Sequence, residues 1–174
     1  MNRLTTVTHP DGSVSKRTSK SHVYTYAVEV AIPRAYYVTE AEDGLERCLR
    51  VRAEVEAALA DGTIVRACDP WSRSQTWETA TVGGHYATSY DNRREIPSDD
   101  VVLARLARSL DSTQESERSR RKTLAKAQNM PETVYKTARW SSREDLARKA
   151  ADGEFAFWIT KGATVTVVPV DPTS

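Results

Sequence analysis

The clearest periodicity in the chain is a two-residue alternation over His22 to Ile32, where Tyr24, Tyr26, Val28, Val30 and Ile32 share one side of the run. It predicts a half-buried strand, because successive side chains on a strand point to opposite faces. Pro33 stops the strand, since proline cannot donate to a sheet ladder. Before it, Val7 to Val14 sets Pro10-Asp11-Gly12 between β-branched residues. That turn chemistry predicts a short N-terminal hairpin.

Beyond Pro33 the period changes. Thr39 with Glu42 reads as a capping box, and Leu45, Cys48, Leu49, Val55 and Leu59 recur at helical spacing until Asp61-Gly62, predicting a helix over 40–60. Thr63 to Cys68 reads as a returning strand, which leaves a β-α-β unit open. Thr76 to Val82 and His85 to Tyr90 read as two strands about a Gly83-Gly84 turn. Pro97-Ser98-Asp99-Asp100 opens a second helix with acids in its first turn, and Leu103, Leu106, Ala107 and Leu110 form its apolar stripe.

From Asp111 to Thr123 that stripe disappears for thirteen residues, and Leu124, Ala127 and Met130 restore it weakly before Pro131. The preferred reading is one long helix over 98–129 that projects into solvent at its middle; the alternative is two helices flanking a polar linker. Ser141 with Glu144 reads as the capping box of a third helix ending at Gly153. Phe155 to Thr160, the Lys161-Gly162 turn and Ala163 to Val170 predict a C-terminal hairpin. The sum is a single α+β domain over 1–174: a mixed or antiparallel sheet of hairpins with three helices, the second long and partly projecting. Strand order stays open.

Composition narrows the class without changing it. With 39% hydrophobic and 28% charged residues over 174 positions, the chain suits a globular domain that buries roughly two thirds of its unfolded surface. Cys48 and Cys68 stand twenty residues apart, which excludes zinc-ribbon spacing and points to a reducing compartment. The first thirty residues hold several charges and no apolar stretch of seven or more, so no secretory signal is expected. The longest apolar run, Phe155 to Ile159, is far short of the roughly 20 residues of a membrane helix. A cytoplasmic location with no membrane partner is therefore expected. The net charge of +1 leaves any attraction to nucleic acid to local patches. The 18 Arg against 7 Lys follow a GC-rich coding bias.

The densest patch is Arg118-Ser119-Arg120-Arg121-Lys122 with Lys126 beyond it. On a helix Arg118, Arg121 and Lys122 share a face that Lys126 extends, a track for phosphates or for an acidic protein surface. The plainer account is a solvated helix face, offset by Glu115 and Glu117. A second candidate is Asp69 to Trp77, where Trp71, Arg73 and Trp77 could anchor an interface or stack on a base. Both indoles could equally fold back as core lids. Trp140 and Trp158 read as core.

Chemistry is harder to find. His9, His22 and His85 show no metal-binding spacing, no phosphate-cradling glycine loop is present, and paired carboxylates lack a supporting lysine. Cys48 reads as packing, and a Cys68–His85 nucleophile pair has little to support it. An enzyme would need a site assembled from scattered residues such as Asp69, Glu78 and His85. No enzyme, metal or cofactor is expected.

Two stretches carry a resemblance. Arg17-Thr18-Ser19-Lys20 with Tyr24 to Val28, and Trp140 to Ala151 with the closing Val165 to Val170, resemble small proteins encoded by bacteriophages of GC-rich actinobacteria. The resemblance covers about a quarter of the chain and implies a setting, the infected host cytoplasm, rather than a mechanism. The reading is thus a non-enzymatic phage accessory factor that docks on a host protein through helix 98–129 or the tryptophan loop. The alternative is a nucleic-acid-binding protein using Arg118, Arg120, Arg121, Lys122 and Lys126.

Overall fold

The computed structural model describes residues 3–68, 77–91 and 93–173. In chain order the elements are β1 (Arg3–Thr8), β2 (Val14–Ser19), β3 (Tyr26–Pro33), α1 (Arg34–Asp61), β4 (Ile64–Cys68), β5 (Trp77–Val82), β6 (His85–Asp91), α2 (Asp99–Gln128), β7 (Thr133–Ser141), α3 (Glu144–Gly153), α4 (Ala156–Thr160), β8 (Thr164–Pro169) and β9 (Asp171–Thr173). The fold is α+β, with its described strands in three small antiparallel sheets. The chain divides into two compact units, Met1–Glu40 with Lys126–Ser174, and Ala41–Ala125.

In the first unit the predicted hairpin forms β1 and β2. The His9 N–H donates to the Ser13 carbonyl at 2.8 Å, and the Asp11 carboxylate accepts from the Ser13 N–H and hydroxyl. This sheet runs β2-β1-β9 and a second runs β7-β3-β8. The alternation that predicted β3 is visible in its packing. Val28 meets Ala147, Ala150 and Ala151 of α3, while Val30 and Ile32 meet Tyr36, Tyr37, Phe155 and Trp158. On the opposite face Ala27 packs with Val7 and Val170, and Glu29 is buried.

Several boundaries depart from the local signals. Helix α1 begins at Arg34, not 40, so Thr39 and Glu42 lie inside it and cap nothing. Burial of Tyr36 and Tyr37 on the β3 core extends the helix back to the strand, and tertiary packing outweighs a cap of about 1 kcal/mol. The Ser141–Glu144 box also fails to form. Ser141 Oγ instead accepts from the Arg143 N–H at 3.1 Å and donates to the Arg143 carbonyl at 2.8 Å. Residues Thr133–Ser141, between the second and third predicted helices, form β7 along β3, and Trp140 in it packs against the Val7, Ala27 and Val170 core.

The predicted C-terminal hairpin is replaced by helix α4 and strand β8, which pairs with β3. Phe155 and Trp158, three residues apart, both turn toward the core, whereas Phe157 and Ile159 are exposed. That is a helical spacing, and the apolar run disguised it as a strand.

The second unit packs Val55 and Ala58 of α1 and Val102 and Leu106 of α2 on Ala80, Val82 and Tyr90 of the sheet β4-β5-β6. Gly83 and Gly84 make the predicted turn with φ of +53° and +83°. Strands β3 and β4 belong to different sheets, so no β-α-β unit forms. Helix α2 is continuous from Asp99 to Gln128, which settles the 111–123 stretch as helix.

Candidate functional site

The stretch of α2 without an apolar stripe meets α1 through polar groups. Glu117 accepts from Arg121 at 2.8 Å and from Arg52 at 2.6 Å, and Arg52 also donates to Glu56 at 2.8 Å. The Cys48 thiol points at the Thr113 carbonyl, 3.6 Å away. The Arg121 hydrogen bond, and then that of Arg52, hold the Glu117 carboxyl below the usual glutamate range. Ion pairs replace leucines on this inner side, which explains why hydrophobic periodicity failed there.

Arg118, Arg120, Arg121, Lys122 and Lys126 are all exposed, but they do not act as one strip. Arg121 is bound to Glu117. Arg120 lies about 200° around the helix axis from Arg118, at roughly 100° per residue, and rests over Gly44 of α1, its Nη1 3.3 Å from where a β-carbon would stand. There it lines a groove of about 280 Å³ with Gly44, Arg47, Cys48, Val51, Thr113 and Ser116. Among the described residues neither Arg47 nor Arg120 has a carboxylate partner. Arg118 and Lys122 stand one turn apart on the outer side. Lys126 belongs to the other unit.

Trp71 and Arg73 lie outside the described residues, as does Asp69. Trp77 opens β5 opposite Asp91 and is 42% exposed, so for this indole the core-lid alternative does not hold. Glu78 accepts from the Tyr90 hydroxyl at 2.8 Å. His85 pairs with Val82 at the far end of the same hairpin, so the strand register keeps Glu78 and His85 apart.

The first unit buries a histidine–carboxylate pair that no sequence motif marks. His9 is 3% exposed and Glu29 6%. The His9 Nδ1 lies 2.5 Å from Glu29 Oε2, and its Nε2 lies 2.8 Å from the hydroxyl of Ser15 on β2. The ring stacks on Tyr135, centroid to centroid 6.0 Å. Glu29 sits opposite Thr137 on β7, beside a register shift between Val28 and Glu29. The one available signal was an acid inside the best strand of the chain, on the face expected to be polar.

No protein-family model, curated protein or solved structure matches the chain. Among the described residues no helix is long and apolar enough to cross a membrane, and no group of three His, Cys, Asp or Glu is placed to hold a metal ion.

Proposed function

We propose that the chain is a binding protein whose α1–α2 groove receives an acidic side chain of a partner protein, with Arg118 and Lys122 as outlying cations. The observation that carries this reading is that Arg47 and Arg120 line one groove with no carboxylate partner among the described residues. A guanidinium presents a planar fork of donors that fits a carboxylate, and the Ser116 hydroxyl lines the same groove. The division of the cations between two sides of α2, with Arg121 neutralised by Glu117, favours a protein surface over a continuous phosphate backbone. The resemblance to actinobacteriophage proteins sets the proposal in an infected cell, where the partner is a host protein and the chain an accessory factor.

Fluorescence anisotropy with a labelled glutamate-rich peptide, and separately with single-stranded and duplex DNA, tests the reading at low and at physiological salt. Binding of the peptide that Arg47→Glu with Arg120→Glu abolishes is the expected result. DNA binding that falls steeply with salt and is weakened by Arg118→Ala with Lys122→Ala, without binding of the peptide, supports the nucleic-acid alternative instead.

A further inference from the structure

The Ser15–His9–Glu29 relay of the first unit carries a different chemistry. Each ring nitrogen of His9 has one partner, Glu29 Oε2 at 2.5 Å on Nδ1 and Ser15 Oγ at 2.8 Å on Nε2. Opposite an ionised carboxylate, which only accepts hydrogen bonds, the Nδ1 is the nitrogen that carries the proton. When the ring is neutral, the lone pair is then left on Nε2, aimed at the Ser15 hydroxyl. Burial of the ring and its stacking on Tyr135 fix that orientation. Nucleophile, base and orienting carboxylate thus stand in the order that activates a serine.

The same bonds would satisfy a histidine with no chemistry to do. What distinguishes this one is the hydroxyl at the end of the relay, which belongs to a half-exposed residue on the outer strand of its sheet. His9 and Ser13 form a hydrogen-bonded pair, and bonded pairs alternate along an antiparallel ladder. Ser15 therefore bonds inward to Val7, and the N–H of Lys16 faces the open edge of β2.

We propose that Ser15 is a nucleophile that accepts acyl groups from esters, with His9 as its base and Glu29 as the residue that positions His9. Ser15 Oγ attacks the ester carbonyl carbon while its proton passes to His9 Nε2, and the edge-facing Lys16 N–H donates to the developing oxyanion. His9 Nε2 gives that proton to the departing oxygen as the ester C–O bond breaks, so the alcohol or phenol leaves, His9 is neutral again and Ser15 carries the acyl group. Water, deprotonated by His9, then attacks the acyl carbon; Ser15 regains its proton and the carboxylic acid departs.

Incubation of the whole chain with a fluorophosphonate, followed by intact mass and peptide mapping, reads this directly. The expected product is a single adduct on Ser15, formed with loss of fluoride and absent from Ser15→Ala. Mapping locates the adduct in the unsubstituted protein, so the result does not depend on how a variant folds. His9→Gln should slow labelling by about 100-fold. Glu29→Gln should lower kcat for p-nitrophenyl acetate without moving KM, a split that loss of folded protein alone would not mimic if kcat is expressed per folded molecule. No adduct, or an adduct on other serines that persists in Ser15→Ala, overturns the proposal.

Discussion

Gly83 occupies the tightest backbone approach in the second unit. Its φ is +53°, and a β-carbon built there would lie 2.7 Å from the Ala58 β-carbon and 2.8 Å from its α-carbon on α1. Substitution by alanine therefore imposes two costs. Holding a non-glycine residue in the left-handed region costs about 1–2 kcal/mol, and crowding a well-packed core costs about 1–3 kcal/mol more. The colliding atoms belong to helix backbone and a buried methyl, which cannot swing aside as a long side chain could. Gly83→Ala should thus lose roughly 2–5 kcal/mol, a large part of a typical total of about 5–15 kcal/mol. Gly84 is the internal control, since it has a φ of +83° with nothing within 4 Å of its would-be β-carbon; Gly84→Ala should show the backbone cost alone, about 1–2 kcal/mol. Urea unfolding followed by far-ultraviolet circular dichroism measures both. Equal losses for the two variants would refute the argument that Gly83 is required by its approach to Ala58.

Gly44→Ala should act in the other direction. Helix propensity gains about 1 kcal/mol, and the new methyl meets the flexible Arg120 side chain, its Nη1 at 3.3 Å and its Cδ at 3.7 Å; urea midpoints should rise slightly while peptide binding in the groove weakens. Ile32→Ala, which empties a position 1% exposed beneath Tyr36 and Trp158, should cost about 2–5 kcal/mol in the same unfolding assay. Because its folded carboxyl lies below the usual glutamate range, Glu117 contributes stability that is present at neutral pH and lost as pH falls through that lower value. Arg52→Ala removes the second-largest cause of that lowering, so the drop in urea midpoint between neutral pH and about pH 3, which lies below the ordinary glutamate value of about 4.3, should be smaller than in the unsubstituted protein.

What could be read from the chain followed from local chemistry. The Pro10-Asp11-Gly12 and Gly83-Gly84 turns and the Asp99-Asp100 helix start needed no distant partner, and each formed where its residues specify. The α1 start and α4 did not, because Tyr36, Tyr37, Phe155 and Trp158 take their conformations from a shared core contributed by separate segments, and β7 forms by pairing with the distant β3. The limits of the two units, at Glu40 and Ala41 and at Ala125 and Lys126, fall inside α1 and α2, where no linker composition marks them. For the candidate groove, the basic cluster and the face shared by Arg118, Arg121 and Lys122 were visible, but not that Arg120, on another side of the helix, lies over Gly44 and lines a groove with Arg47. His9 and Glu29 are twenty residues apart, and their meeting depends on the hairpin settling on the polar-looking face of β3.

The central claim is the proposal that the α1–α2 groove recognises an acidic protein surface, and affinity capture from a lysate of the kind of host that the resemblance implies addresses it most directly. Tagged protein and the Arg47→Glu with Arg120→Glu variant are compared, each with and without nuclease. The account predicts a host protein retained by the unsubstituted chain, insensitive to nuclease and lost with the two charge reversals. Capture that nuclease abolishes, or that both reversals leave intact, would contradict it.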